Sequence, residues 1–289
     1  MKRRIVWILL IIVFFFTLWS YIGRTKETIS NPDNDVLKVH IIDVGQGDSI
    51  FIQSGGSSML IDAGERDQGK VVTDYLNAAG VTKLDYLIGT HPHSDHIGGL
   101  TDIIGSFDIE KIIMPNVTHT TKTFENVLDA IADKGLKITK PAVGDEYRLG
   151  SSAFIIIAPN SPEYDNLNNY SVGIKLTNGE NTFIFTGDAE KYSEKEMLRN
   201  GIDLNADVLK LGHHGSSTSN SKDFLDAVSP DIGIVSAGKD NQYGHPHVEI
   251  LDAMKERNIK LFRTDTQGTV IIESDGRTIT VNHEPYEGR

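Results

Sequence analysis

The sequence contains no cysteine, which removes disulfides, thiolate metal ligands and cysteine nucleophiles together. Positive charge is also scarce: 28 Lys and Arg stand against 40 Asp and Glu, for a formal net charge of −12. Residues 1–24 hold four of the positive charges (Lys2, Arg3, Arg4 and Arg24) and no acid, so the remainder carries −12 − 4 = −16. A body this acidic has no general electrostatic attraction to nucleic acid. If the substrate is a polyanion, local positive charge must come mainly from bound metal. There is no short internal repeat and no low-complexity tract. With 289 residues, 39% of them hydrophobic, the chain suits one large core.

The N-terminal segment stands apart from that core. Lys2, Arg3 and Arg4 precede Ile5–Trp19, a run without charge in which Thr17 is the one polar residue. A basic patch followed by such a run reads as an export signal. No small-residue cleavage site follows, only Leu18, Trp19, Ser20, Tyr21 and Ile22, which favours retention as an anchor over release by cleavage. With the basic patch held inside, the body faces outward. The expected organisation is a signal peptide or membrane anchor over 1–24, a polar tether over 25–36, and a catalytic body over 37–289. That body is exported and anchored, or secreted if the segment is cleaved.

Beyond the tether, strand-like and helix-like runs alternate. Strands are expected at 37–43, 49–53, 59–62, 84–89, 111–114, 153–157, 171–176, 182–186, 207–211 and 232–235, with a closing hairpin at 269–273 and 278–281 that turns on Asp275-Gly276. Helices are expected at 70–79, 123–133, 190–199, 222–227 and 248–256. Such an α/β pattern buries its apolar runs well as two sheets face to face with helices outside.

The chemistry concentrates in His91-Pro92-His93-Ser94-Asp95-His96, directly after an apolar strand and closed by Gly98-Gly99. Neutral imidazole and carboxylate are preferred ligands of zinc-like ions. His91 and His93 alternate in extended chain and can share one ion, while Asp95 and His96 turn toward a second.

The motif HxHxDH at His91, His93, Asp95 and His96 resembles the signature of the metallo-β-lactamase superfamily. Val44-Gly45-Gln46-Gly47-Asp48-Ser49, Leu60-Ile61-Asp62-Ala63-Gly64, Phe185-Thr186-Gly187-Asp188, Leu209-Lys210-Leu211-Gly212-His213-His214-Gly215-Ser216 and Tyr243-Gly244-His245-Pro246-His247 resemble, in order, the extracellular hydrolase domain of ComEC-type competence proteins. The resemblance runs from about residue 37 to 282. It implies a four-layer αββα sandwich and a hydrolase with two divalent ions, zinc first, with manganese or iron as alternatives.

Carried over residue by residue, Asp188 is the carboxylate that bridges two ions; its plainer alternative is a cap on the helix that begins near Glu190. One of His213 and His214 completes the second ion's shell with Asp95 and His96. Alternation leaves the choice open; His213 is the favoured ligand, and His214 either supports the ligands from behind or faces substrate. The third imidazole that the superfamily offers the first ion is missing, because no histidine lies between His119 and His213. Asn168-Asn169-Tyr170-Ser171 stands in that region, so an asparagine oxygen or water would fill the shell. Asp62 is expected to orient a ligand imidazole. His245 is expected to stabilise transition-state charge or protonate the leaving group, with Asp95 and His214 at the reacting centre. Lys239 and Tyr243 could contact an anionic substrate. His40, His119 and His283 read as structural or surface residues.

The implied reaction is hydrolysis of a phosphodiester, with DNA the family's substrate and the membrane a partner through the N-terminal segment. Two alternatives stay open: a cell-wall or small-molecule ester such as a phosphocholine ester, and a non-catalytic metal-binding surface domain.

Overall fold

The computed structural model describes residues 36–288. The segment expected as signal or anchor, and the tether up to residue 35, lie outside the described residues. Among the described residues no helix is long and apolar enough to cross a membrane.

The first half of the body holds β1 (Leu37–Ile41), β2 (Ile50–Ser54), β3 (Ser57–Ile61), β4 (Lys83–Ile88), β5 (Asp108–Ile113) and β6 (Ile138–Thr139). The second holds β7 (Glu146–Leu149), β8 (Ser152–Ala158), β9 (Gly173–Asn178), β10 (Asn181–Phe185), β11 (Val208–Lys210), β12 (Ile232–Val235) and β13 (Lys260–Arg263). A final hairpin, β14 (Val270–Ser274) and β15 (Ile279–Val281), returns to the first half and pairs with β1. Two sheets result, ordered β15-β14-β1-β2-β3-β4-β5-β6 and β13-β12-β11-β10-β9-β8-β7.

Strand alternation builds the layers. Ile50 and Ile52 of β2, Met59 and Ile61 of β3, and Phe183 and Phe185 of β10 share one core cluster, which fills the space between the sheets. The intervening Phe51 and Leu60 face a second cluster on the outer side of the first sheet, and Ile184 faces a third outside the second sheet. Helices cover both outer faces: α1 (Gly69–Ala78), α2 (Ser94–Ile97), α3 (Leu100–Ser106) and α4 (Lys122–Asp133) on one, then α5 (Lys191–Met197), α6 (Lys222–Val228) and α7 (Val248–Glu256) on the other. A short α8 (Thr264–Gln267) precedes β14. Helix, sheet, sheet and helix give the expected αββα sandwich, with about 1.5–3 kcal/mol for each large apolar side chain taken fully from water.

Local signals explain individual helices. In α4 the hydroxyl of Thr121 accepts from the Phe124 N–H, and Phe124, Val127 and Ile131 place one apolar stripe on the core. In α6, Ser221 caps the start in the same way and left-handed Ser229 stops the helix.

Direction matters most for the site. β3, β4, β5 and β6 run parallel, as do β10, β11, β12 and β13. β1 is antiparallel to β2, which is antiparallel to β3, so β1 runs with β3. The loops leaving β1, β3, β4, β10, β11 and β12 therefore emerge along one edge of the sandwich, where α/β folds place ligands.

Three strands escape the sequence pattern. β6 has two residues, β7 reads Glu-Tyr-Arg-Leu with a largely exposed face, and β13 reads Lys-Leu-Phe-Arg, too short for alternation to register. The α3 helix also goes unforeseen, since its seven residues follow directly on Gly98-Gly99.

Candidate metal centre

The loop after β4 carries the first four side chains. His91 lies in a bend and His93, in extended conformation, directly precedes α2, which carries Asp95 and His96. The helix that starts at Ser94 sets the directions of Asp95 and His96. Backbone bonds hold this loop to its neighbours: Ala63 N–H donates to His96 O at 2.8 Å, and Gly99 N–H to Gly64 O at 3.0 Å. The loop after β1 lies directly on it. Asp48 N–H donates to Asp95 O at 3.2 Å, and a Cβ at Gly47 would sit 2.2 Å from that same oxygen, at a φ of +134°. Only glycine fits there.

Asp188, at the end of β10, is the hub. Its Oδ1 is 3.2 Å from His96 Nε2, and its Oδ2 is 3.5 Å from His214 Nε2, 3.5 Å from His213 Nε2 and 3.9 Å from His91 Nε2. His91 Nε2 and His93 Nδ1 are 3.0 Å apart, and His214 Nε2 is 3.3 Å from Asp95 Oδ2. The residues expected as ligands thus converge within one small volume.

The far sides of the His96, His91 and His214 rings are held. His96 Nδ1 faces Asp62 Oδ2 at 2.8 Å, and Asp62 also accepts from Thr90 N–H at 2.8 Å and from the Thr90 hydroxyl at 2.6 Å. His91 Nδ1 faces the hydroxyls of Thr90 at 3.1 Å and Ser171 at 3.3 Å. Ser171 Oγ in turn accepts from Asp188 N–H at 3.0 Å. His214 Nδ1 faces the Ser236 carbonyl at 3.0 Å and Asp48 Oδ1 at 3.3 Å. A proton on Nδ1 of these three rings leaves Nε2 free for a cation, which is how ligand imidazoles are normally oriented.

These donors fit a divalent cation. His96 Nε2, His214 Nε2 and Asp188 Oδ1 are all buried without a hydrogen-bond partner, a costly arrangement unless something else satisfies them. Asp48, His96, Asp188 and His214 each bring one ligand atom within 4.8 Å of the others. Of these, Asp48 faces the Nδ1 side of both rings, so Asp95 is the better fourth donor and Asp48 lies behind.

Charge follows the same plan. Burial, then the neighbouring His96, holds His91 well below the usual imidazole range and lowers His93 as well. Burial opposes a cation at His96, but Asp188, Asp95 and Asp62 outweigh it and raise the group well above its ordinary value. His214 is raised to about 9 in the same way, burial being overcome by Asp188 and Asp48. Asp188 is held far down, because His214 and His96 prevail over burial. The buried carboxylates are thus balanced by protons that a metal would replace.

His213, the favoured ligand, and His214 both bring Nε2 to 3.5 Å from Asp188 Oδ2, but their surroundings differ. His214 lies in the four-residue cluster and is 1% exposed. His213 approaches Asp188 from the open side, with its Nδ1 on the Thr218 hydroxyl at 3.0 Å. Both residues have positive φ, 52° and 55°, so the strand alternation that would rank them is broken here. His119, read as a structural or surface residue, lines the metal cleft of about 360 Å³ together with His93, Asp95 and Asp188, its ring centroid 6.4 Å from that of His93. His245 and Tyr243 line the same cleft; Lys239 is exposed and is not among its lining residues. Burial, then His214 and His213, lowers His245 to about 4, and its buried Nδ1 has no partner. Asn168 lines the cleft with a buried, unpartnered Oδ1, whereas Asn169 Oδ1 accepts from Glu190 N–H at 3.1 Å and supports the loop. His40 bonds the Tyr75 hydroxyl at 2.8 Å, and His283 the Thr269 carbonyl at 3.1 Å, both away from the site.

Two residues were missed by sequence reasoning. Asp48 and Lys210 sit in motifs whose resemblance was noted, yet nothing local assigns them a role. The structure joins them in a solvent-free ion pair beneath the site.

Residues 42–239 match the family model described as the metallo-beta-lactamase superfamily. The chain is 32% identical to ComE operon protein 3 of Bacillus subtilis (strain 168) over 86% of its own length and 35% of that protein's. It is 30% identical to competence protein ComA of Neisseria gonorrhoeae over 88% of its length and 34% of that protein's. The chain therefore spans about a third of the length of these relatives. Among solved structures, the metallo-beta-lactamase fold protein YhfI from Bacillus subtilis superposes with a TM-score of 0.53 at 18% identity, covering 83% of this chain and 100% of that one. The family match spans well over half of the sequence and encloses the buried His/Asp centre, and the chain belongs to the metallo-β-lactamase superfamily.

Proposed function

We propose that the protein is a phosphodiesterase with two divalent ions, zinc first among them, that acts on the outer side of a membrane to which residues 1–24 anchor it. The observation that carries this reading is Asp188, whose two oxygens face separate imidazoles, His96 on one side and His91, His213 and His214 on the other. Such a carboxylate suits a pair of cations about 3.5–4 Å apart, the arrangement that stabilises both the entering and the leaving oxygen of a phosphoryl centre.

His91, His93 and Asp188 would hold one ion; Asp95, His96, His214 and Asp188 would hold the other. Bound there, the ions would supply Lewis acidity and lower the pKa of water. The chain's own residues do the rest. Asp62, Asp48 and Ser171 fix the ring orientations, and the closed wall formed by Thr90, His91 and His96 keeps bulk water from the inner side. His245 is neutral before substrate arrives. It lines the cleft, where the charge of a bound phosphate would favour protonation of the ring and so its use as the acid for the leaving group.

Similarity to competence proteins supports single-stranded DNA as substrate. The charge of −16 on the body, −12 − 4 as derived above, favours instead a small or cell-wall ester, and that is the second reading. Purified full-length protein in detergent should contain metal and hydrolyse bis-p-nitrophenyl phosphate with Zn²⁺ or Mn²⁺, and His93→Ala should abolish this. Cleavage of single-stranded DNA, lost with the same substitution, selects the nuclease; turnover of phosphocholine esters alone selects the second reading. Stoichiometric metal with no turnover of any phosphodiester would overturn the proposal and leave a metal-binding surface domain.

A further inference from the structure

A second cleft, of about 860 Å³, opens beside the metal cleft and is walled by Tyr164, Tyr170 and Tyr192 with Glu163 and Asp165. The two share a boundary. Thr118 lines one and His119 the other, and Asn169 lines one and Asn168 the other. At that boundary the Asn168 side chain, 6% exposed, presents an Oδ1 without a partner. The segment that forms the tyrosine wall ends at Ser171, which bonds His91 and Asp188, so wall and metal centre are set by one stretch of chain.

The aromatic wall is held in place before any ligand arrives. The Tyr164 hydroxyl donates to Glu196 Oε2 at 2.7 Å and accepts from the N–H groups of Asn160 at 3.0 Å and Ser161 at 2.8 Å. The Tyr170 hydroxyl accepts from Tyr164 N–H at 3.0 Å. The rings meet edge to face, with centroids 5.1 Å apart for Tyr164 and Tyr170 and 5.9 Å for Tyr164 and Tyr192. Tyr192, 61% exposed, stands at the mouth. Among the described residues lining this cleft there is no lysine, arginine or histidine.

We propose that this cleft is the subsite for the organic half of the ester, and that it takes a positively charged group, an ammonium or quaternary ammonium, rather than a second phosphate. Tyrosine faces attract cations through the ring quadrupole, and Glu163 and Asp165 add charge of the right sign while repelling a further phosphate. Tyr164 and Tyr170 also supply rigid apolar area at little cost in entropy, since their hydroxyl bonds already fix their orientation. The inference rests on the phosphodiesterase reading and narrows it: one phosphate at the metal centre, a cationic head group beside it.

Two measurements on the full chain in a non-ionic detergent test this separately. Choline chloride titrated into chelator-treated protein should quench tyrosine fluorescence saturably, and sodium phosphate should not. Glu163→Lys with Asp165→Lys, both at exposed positions, should weaken choline binding about tenfold or more, and Tyr192→Ala about fivefold. In zinc-loaded protein, KM for p-nitrophenyl phosphorylcholine should be about tenfold below that for ethyl p-nitrophenyl phosphate, and the double lysine variant should erase the difference. Failure of choline to bind, or equal KM values in the parent protein, overturns the cationic subsite. Choline binding without hydrolysis of any ester overturns the phosphodiesterase reading alone.

Discussion

The ammonium of Lys210 is bonded to the carboxylate of Asp48, with both side chains removed from solvent, and Asp48 turns its other oxygen to His214 Nδ1 at 3.3 Å. The pair joins the last residue of β11 in one sheet to the loop after β1 in the other, directly beneath the metal centre. Burial disfavours the Asp48 carboxylate, but Lys210 and His214 outweigh it and bring its pKa down to about 2.

Removing one partner leaves a buried charge uncompensated. Lys210→Met should therefore destabilise the fold by about 3–5 kcal/mol, read from urea denaturation of the full chain. Lys210→Met combined with Asp48→Leu should recover most of that loss, because the two desolvation penalties vanish together. The double variant should still bind zinc about 10–100-fold more weakly, since His214 Nδ1 then keeps the Ser236 carbonyl but loses the carboxylate beside it. A double variant with unchanged zinc affinity would limit the pair to a structural role.

Asp62 is the corresponding support for His96. It accepts from Thr90 N–H, the Thr90 hydroxyl and His96 Nδ1, all within 2.8 Å, at a left-handed φ of 57° that suits Asp, Asn or Gly. Asp62→Asn keeps the backbone preference and removes the charge. Zinc affinity should fall about 10–100-fold with the thermal midpoint of the chelated protein within a few degrees of the parent. If affinity is untouched, His96 is oriented by something else.

How far the sequence reveals this site depends on the distance over which its parts interact. The cluster from His91 to His96 is legible because four donors of suitable chemistry fall within six residues. The layered fold is legible because alternation in β2, β3 and β10 sorts inner from outer residues. The Lys210–Asp48 pair is not, since its partners are 162 positions apart and each alone reads as an ordinary surface charge. His119 escapes because only the three-dimensional course of the chain after β5 brings it to face His93. The order of His213 and His214 escapes because two successive left-handed residues undo the alternation that strand reasoning relies on.

That pair gives a direct comparison. His214→Ala removes a buried nitrogen aimed at Asp95 and Asp188, while His213→Ala removes one on the open side of the same carboxylate. Zinc content after dialysis should drop by about one equivalent for His214→Ala, with affinity at the remaining ion changed less than about tenfold. His213→Ala should keep both ions and show its main effect in turnover. Loss of an equivalent from His213→Ala alone would make His213 the ligand.

Metal removal should expose the charge balance of the centre through pH. In the metal-free protein His214 keeps its proton to about 9, burial being overcome by Asp188 and Asp48. Its folded value lies above the unfolded one near 6.5, so its contribution to stability is complete below about 6.5 and is lost as pH rises through about 9. A metal ion takes the place of that proton. The thermal midpoint of chelated protein should therefore fall between pH 7 and 9.5, whereas zinc affinity, measured by competition with a chelator of known pH dependence, should rise by up to about tenfold per pH unit for each proton displaced. Zinc affinity flat across this window would mean that His214 is already neutral without metal, and the proposed exchange of protons for cation at Asp188 would fail.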